Sequence, residues 1–168
     1  MQSISNDVQV YQAFVATNVT GRQTDTLYVT ERTAVFHTSS LITREDFRRR
    51  NERFPSGLAG ALEAASSPPQ PIETLSLPYP IHVVSSKELS AMFANGPNKG
   101  WEEFHRRYPH AHSYFAFSPV VYSPNGSDAL FWYEWYCGSL CAGGEAVWVS
   151  RDPQGRWQFR QKVLFWIS

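Results

Sequence analysis

The last third of the chain alternates hydrophobic and polar positions in four short runs, separated by turn sequences rich in Gly, Pro, Asn and Asp. This period-two pattern is typical of β-strands that have one buried face. The predicted strands span residues 114–122, 129–136, 145–150 and 157–167. Because the connections are short, we expect the four strands to pair as an antiparallel meander, with Pro119 marking a sheet edge or a bulge.

The last predicted strand indicates how this sheet is covered. A regular alternation places its larger hydrophobic residues on one face, namely Trp157, Phe159, Val163 and Phe165. Leu164 and Trp166 then make the opposite face apolar near the end of the strand. We therefore expect a helix to cover that end of the outer face.

Helical and extended patterns alternate in the first two thirds of the chain. Apolar spacing and capping residues predict helices over 6–17, 43–54, 58–65, 87–93 and 100–109, with Ser86 capping the fourth. Runs rich in β-branched and aromatic residues predict strands over 26–37 and 81–86. Residues 55–80 contain six prolines and predict an irregular crossing inside one domain that spans residues 1–168.

The order of these elements predicts an α+β fold in which helices pack on one face of a curled antiparallel sheet. At the level of architecture, such a sheet is similar to the cystatin and nuclear-transport-factor-like folds. That comparison concerns the fold alone and carries no function.

The composition argues against some classes of binding partner. The chain has 15 Lys and Arg against 15 Asp and Glu, so it has no net charge with which to attract nucleic acid. Three consecutive arginines, Arg48, Arg49 and Arg50, spread around a helix and predict a solvated surface rather than a basic patch. No run of eighteen apolar residues occurs, which predicts that no transmembrane helix is present.

The most distinctive stretch is CGSLCAGG at residues 137–144. Ser139 lacks the Gly-x-Ser-x-Gly context of a hydrolase nucleophile. Cys137 and Cys141 are separated by one residue more than a redox pair of the Cys-x-x-Cys type. The two cysteines therefore either form a small disulfide or pack as apolar thiols.

Glycines are the other component of this stretch. A tight reversal of the chain requires positive φ angles, which glycine adopts readily. We expect three glycines to supply them, namely Gly138, Gly143 and Gly144. The alternative is that exposed N–H groups of a glycine-lined turn bind an anion.

The C-terminal half resembles a group of uncharacterised bacterial proteins. The resemblance rests on GWEEFHRRYP at 100–109, on the CGSLCAGG turn, and on the terminal strand GRWQFRQKVLFWIS, and it covers roughly residues 81–168. Members of that group are often preceded by export or lipoprotein signals, so the resemblance implies a bacterial protein that is exported and whose leader has been removed. The group has no assigned activity, and Glu134 and Ala142 stand where its members tend to have glycine. The resemblance therefore transfers no catalytic residue.

Glu134 is the one candidate for catalysis. Strand alternation places it on the same face as Trp132 and Tyr136. If that face is buried, desolvation would raise the pKa of the carboxyl and make it a general acid, working with a nearby histidine. The competing interpretation is an ion pair across the sheet with Arg160 or Lys162.

Three histidines lie within eight residues, namely His105, His110 and His112. In an extended segment His110 and His112 would point to opposite sides, which makes them poor joint ligands. We therefore predict no metal site and no cofactor.

Aromatic residues make up 15% of the chain, and four of them flank Glu134 in one strand, namely Trp132, Tyr133, Trp135 and Tyr136. They are more than a thin core usually buries, so we expect some to line a groove for a sugar, peptide or apolar ligand. The sequence thus favours a small non-catalytic domain that binds a ligand or a protein partner. The alternatives are a hydrolase or isomerase that uses Glu134 with a histidine, and a structural protein of the cell envelope.

Overall fold

The structure, a computed structural model, describes residues 5–18, 26–36 and 44–168. Helices in these residues are α1 (Asn6–Asn18), α2 (Arg44–Asn51), α3 (Leu58–Ser66), α4 (Ser86–Met92) and α5 (Pro97–Arg107). Strands are β1 (Leu27–Thr30), β2 (Ile81–Val84), β3 (Tyr114–Phe117), β4 (Val121–Tyr122), β5 (Asp128–Gly138), β6 (Cys141–Arg151) and β7 (Trp157–Ile167). The predicted α+β class is confirmed, whereas the predicted helix start at Thr43 lies outside the described residues.

The sheet is mixed and wider than the predicted meander. Its strand order is β2-β1-β3-β5-β6-β7, and β4 also pairs with β5. The strands from β3 to β7 are antiparallel neighbours, as predicted, but β1 runs parallel to both β2 and β3. The chain around Pro119 separates β3 from β4, because proline cannot donate to a strand ladder.

Helices cover both faces of the sheet, so the prediction of a single covered face is wrong. On one face, here called the α1 face, Tyr11 and Phe14 pack against Phe131 and other residues of β5 and β6. On the opposite α3 face, Leu62 packs in a second cluster with Trp132. The consecutive buried residues of β5 fit this arrangement, since a strand covered on both sides does not alternate in burial.

Strand β7 does not keep one hydrophobic face. Trp157 and Phe159 belong to the cluster on the α1 face, whereas Val163 and Phe165 belong to the cluster on the α3 face. The pairing with β6 shifts by one residue at Arg160 and again at the end of the strand. Each bulge moves the following side chains to the other face, so the predicted shared face is wrong.

Coverage at the end of β7 comes from α2. Arg50 donates a hydrogen bond to the backbone carbonyl of Leu164. Trp166, on the α3 face, is partly buried against the cluster there. Helix α2 therefore contacts this end of the strand, but Leu164 is exposed and does not share a face with Trp166, so the predicted covered apolar face is wrong.

Helix α4 begins with a capping box. The Oγ of Ser85 accepts the N–H of Glu88 at 3.2 Å, and a carboxylate oxygen of Glu88 accepts the N–H of Ser85 at 2.9 Å. The capping residue is thus Ser85 rather than the predicted Ser86, which is the first residue of the helix. Glu88 also pairs with Arg107 of α5 at 2.7 Å, so the cap fixes α4 and α5 together beside the sheet.

Candidate functional site

Strand alternation in β5 sends the four candidate aromatic residues to opposite faces of the sheet. Trp132 is fully buried on the α3 face, between Phe36 and Phe165, and Tyr133 is buried on the α1 face. Trp135 and Tyr136 are half-buried, again on opposite faces. The four rings therefore cannot form one groove, and each face has its own cleft.

The cleft on the α3 face contains Glu134 and is here called the Glu134 cleft. It has a volume of about 430 Å³, and its walls include Arg32, Leu89, Tyr114 and Tyr136. Small-molecule sites commonly have about 300–1,000 Å³. The parallel strand β1 and the helix α4 form its outer walls, and neither wall was predicted beside Glu134.

The carboxylate of Glu134 is held in a fixed orientation. Only 9% of the residue is exposed. Its Oε1 accepts the indole N–H of Trp132 at 3.0 Å, and its Oε2 accepts the hydroxyl of Tyr136 at 2.6 Å. The ring of Tyr114 stacks on Tyr136 with centroids 4.8 Å apart and an interplanar angle of 14°.

The two tyrosines remain protonated beside this carboxylate. Burial, and then the negative charge of Glu134, raise the pKa of Tyr114 to about 12. The same two causes raise the pKa of Tyr136 well above its ordinary value. Tyr136 therefore acts as a hydrogen-bond donor that orients Glu134 at every physiological pH.

The ion pair expected between Glu134 and a strand β7 cation is not formed. Lys162 pairs with Glu145 at 3.2 Å, on the other face, and Arg160 donates to the hydroxyl of Ser150. Among the described residues, no Lys, Arg or His nitrogen lies within 4.0 Å of the Glu134 carboxylate. The cause is the bulge at Arg160, which turns Lys162 toward the α1 face.

Histidine does not accompany Glu134 in the part of the chain that the structure describes. No described histidine lines the Glu134 cleft. His105, on α5, places its Nδ1 3.1 Å from the carbonyl of Ala111, and His110 and His112 are exposed. Within residues 5–18, 26–36 and 44–168, no three His, Cys, Asp or Glu side chains gather as a metal site would require.

A second cleft, on the α1 face, contains a second buried carboxylate, that of Glu145, and is here called the Glu145 cleft. It has a volume of about 310 Å³, and Phe115, Tyr133, Trp135 and Lys162 line it. Sequence reasoning missed Glu145. The available signal was its position in the alternating strand EAVWVS, where it lies on the same face as Val147 and Val149, which are both buried.

The hairpin tip between β5 and β6 is a bend in the chain. The sulfur atoms of Cys137 and Cys141 lie at disulfide distance, with Cα atoms 5.1 Å apart. The hydroxyl of Ser139 donates to the side-chain oxygen of Asn98 at 2.5 Å. No catalytic partner for Ser139 occurs among the residues described, whereas anion binding at the tip stays a prediction.

The glycines of this hairpin provide space rather than unusual backbone angles. Positive φ values occur at Gly57, Gly96, Gly126 and Gly155, so the prediction for the hairpin glycines is wrong. A Cβ at Gly143 would lie 2.3 Å from the indole of Trp135. A Cβ at Gly144 would lie 2.3 Å from the indoles of Trp132 and Trp166. The two glycines thus allow indole rings to approach the backbone closely on both faces of β6.

Comparison of the chain with protein-family models, with characterised proteins and with solved structures gives no match. In the described residues, no helix has the length and hydrophobicity needed to cross a lipid bilayer. The resemblance to the uncharacterised bacterial group stays a prediction, and the function is argued from the two clefts.

Proposed function

We propose that the protein is a non-catalytic binding domain whose Glu134 cleft takes a small organic molecule with a positively charged amino group. The observation that carries the proposal is a buried carboxylate without a cationic partner among the described residues. The same proposal includes three predictions from the sequence. They are a curled sheet of the cystatin or nuclear-transport-factor type, a bacterial origin and export.

An unpaired buried carboxylate is costly for a folded protein. Buried charges are normally paired, because removal from water costs several kcal/mol per ion. Two hydrogen bonds, from Trp132 and Tyr136, compensate Glu134 in part and fix its direction. A carboxylate has about four lone-pair positions, so acceptor capacity remains for the N–H groups of a ligand.

The surrounding side chains favour an organic ammonium group. Tyr114 and Tyr136 form a stacked pair in the cleft wall, and Trp101 stacks on the other face of Tyr114. These rings and Leu89 offer apolar contact for the ligand's carbon atoms, while Glu134 attracts its charge. Arg32 lines the same cleft, so a ligand that also carries an acidic group would find both of its charges matched.

The arrangement supports binding better than catalysis. A general acid needs a second group that acts on the same substrate, and no described histidine lines the cleft. Among the described residues, no contact specifically supports a hydrolase or isomerase, and none specifically supports a structural protein. Both alternatives stay predictions.

The experiment is a calorimetric titration with choline, butylamine and lysine, together with 3,3-dimethyl-1-butanol, the uncharged isostere of choline. We expect at least one amine to bind, and the Glu134→Gln variant to weaken it by about tenfold or more, since the amide keeps the shape but removes the charge. The matched control is Asp128→Asn, because Asp128 is also in β5 and also accepts an indole N–H, from Trp148 at 2.8 Å, outside either cleft.

Three results would overturn the proposal. They are the absence of binding for every amine, equal binding of the uncharged isostere, and equal losses in the Glu134→Gln and Asp128→Asn variants.

A further inference from the structure

We propose that the Glu145 cleft is a second and independent binding site, and that it takes a neutral saccharide. The site lies on the α1 face, on the side of β5 opposite Glu134. The proposal rests on three features of this cleft, namely an aromatic platform, a polar group at its end and an internally balanced charge.

The platform is the indole of Trp135. Gly143, its register partner on β6, lies under the ring, since a Cβ there would come within 2.3 Å of it. The absence of a side chain lets the indole pack against the backbone of the strand, and the same ring lines the cleft. The ring is half-exposed, and that of Tyr133 lies beside it at 5.5 Å between centroids.

The polar group is the carboxylate of Glu145. One oxygen, Oε2, accepts the hydroxyl of Tyr133 at 2.6 Å and contacts the ammonium of Lys162 at 3.2 Å. The other oxygen, Oε1, accepts no hydrogen bond from any described residue. Lys162 has a side chain that is 41% exposed, so its remaining N–H groups can also reach a ligand.

Charge balance distinguishes this cleft from the Glu134 cleft. Glu145 and Lys162 compensate each other, so neither a cationic nor an anionic ligand gains a net attraction. A neutral ligand with many hydroxyls can instead donate to Glu145 and accept from Lys162, and both of these bonds are charge-assisted.

A pyranose ring has this combination of surfaces. Its hydroxyls surround a face of C–H groups, whose hydrogens carry partial positive charge and are attracted to the negative face of an indole. Stacked on Trp135, a sugar unit would present its hydroxyl edge toward the group formed by Glu145 and Lys162, which lines the same cleft. The cleft, of about 310 Å³, has room for one or two sugar units.

The experiment uses the full chain and three neutral probes, namely maltotriose, cellotriose and the trisaccharide of N-acetylglucosamine. Saturation-transfer NMR detects contact, and calorimetry measures affinity. We expect at least one trisaccharide to bind, and the Trp135→Leu variant to weaken it by about tenfold or more through loss of the stacking surface. Trp166→Leu is the matched control, because Trp166 is also half-buried near the same end of the sheet but lies on the other face.

A second variant avoids dependence on the folding of Trp135→Leu. Lys162→Met removes the N–H donors and leaves Glu145 without its cation, so circular dichroism checks that the variant is folded. In the folded variant we expect the trisaccharide to bind about tenfold more weakly. The inference is overturned if no probe binds, if both Trp135→Leu and Lys162→Met bind as the wild type does, or if Trp166→Leu causes an equal loss. Amine binding at Glu134 is measured separately, so either proposal can fail while the other stands.

Discussion

Gly144 shows how one missing side chain organises the residues around it. The indoles of Trp132 and Trp166 occupy the space where its Cβ would lie. Trp132 in turn donates to Glu134, so the position of the candidate carboxylate depends on this close approach. The glycine is therefore part of the support for the Glu134 cleft even though it does not line it.

Substitution of this glycine tests that dependence. We expect Gly144→Ala to lower the free energy of unfolding by about 1–3 kcal/mol, because a ring and a strand must move apart. Gly138→Ala is the control in the same hairpin, since the nearest atom to its Cβ would be 3.4 Å away, an ordinary contact. Urea denaturation followed by circular dichroism measures both variants. Equal stability of the two would contradict the argument.

The charge of Glu134 has a second consequence, at Tyr114. Burial and that charge raise the pKa of Tyr114 from 10.0 to about 12, so the folded state keeps a proton that the unfolded state loses. The stability that this proton contributes is complete below about pH 10 and is lost as the pH rises toward 12.

In the Glu134→Gln variant we expect the pKa of Tyr114 to fall below 12 but to stay above 10, because the charge is gone and the burial remains. The alkaline loss of stability would then be smaller than in the wild type. NMR titration of the ring carbon that carries the hydroxyl follows this residue individually. An unchanged pKa for Tyr114 would show that the charge of Glu134 does not contribute to it.

At the scale of elements, the cap of α4 positions one wall of the Glu134 cleft. Ser85 and Glu88 form the cap, Arg107 joins it to α5, and Leu89 of the same helix lines the cleft. The cap therefore links helix stability to the shape of the candidate site.

We expect Ser85→Ala to lower the free energy of unfolding by about 1 kcal/mol, because the N–H of Glu88 loses its acceptor. Ser86→Ala is the neighbouring control, since Ser86 follows the cap and supplies none of its hydrogen bonds. Thermal unfolding compares the two variants. A larger loss for Ser86→Ala would place the cap at the residue that the sequence suggested.

The positions of strands were predictable where the sequence pattern is local. The face of the sheet on which each side chain lies was not. The three hairpin-connected strands β5, β6 and β7 follow from alternation and turn residues close together in sequence. The bulge at Arg160 leaves one weak trace, the polar Gln161 at a position that regular alternation assigns to the apolar face, and one such residue does not identify a bulge. One extra residue therefore moves the side chains that follow it to the face opposite the predicted one.

Long-range pairing was the other gap between sequence and structure. The parallel contacts of β1 with β2 and β3 join segments far apart in the chain, and no local pattern encodes them. The Glu134 cleft depends on those contacts, because residues that follow β1, including Arg32, form its wall. Burial of Glu134 was one of the two interpretations that the sequence left open, whereas the residues around it were not predictable.

For the whole molecule, the two covered faces share the same central strands. Phe14 of α1 and Leu62 of α3 are both fully buried, and they pack on opposite sides of β5 and its neighbours. Loss of either layer exposes the sheet that supports the other, so we expect one cooperative unfolding transition.

Phe14→Ala and Leu62→Ala test this expectation from the two sides. Each should cost about 2–5 kcal/mol, because each leaves a cavity in a fully buried cluster. Far-UV and near-UV circular dichroism should report the same midpoint for each variant. Separate transitions for the two signals would show that the layers unfold independently.

Only backbone separates the indole that lies on Gly143 from the two that lie on Gly144, because neither glycine places a side chain between them. Incorporation of 5-fluorotryptophan separates these residues, because each fluorine has its own resonance, and a ligand that occupies one cleft will shift the lines of that side first.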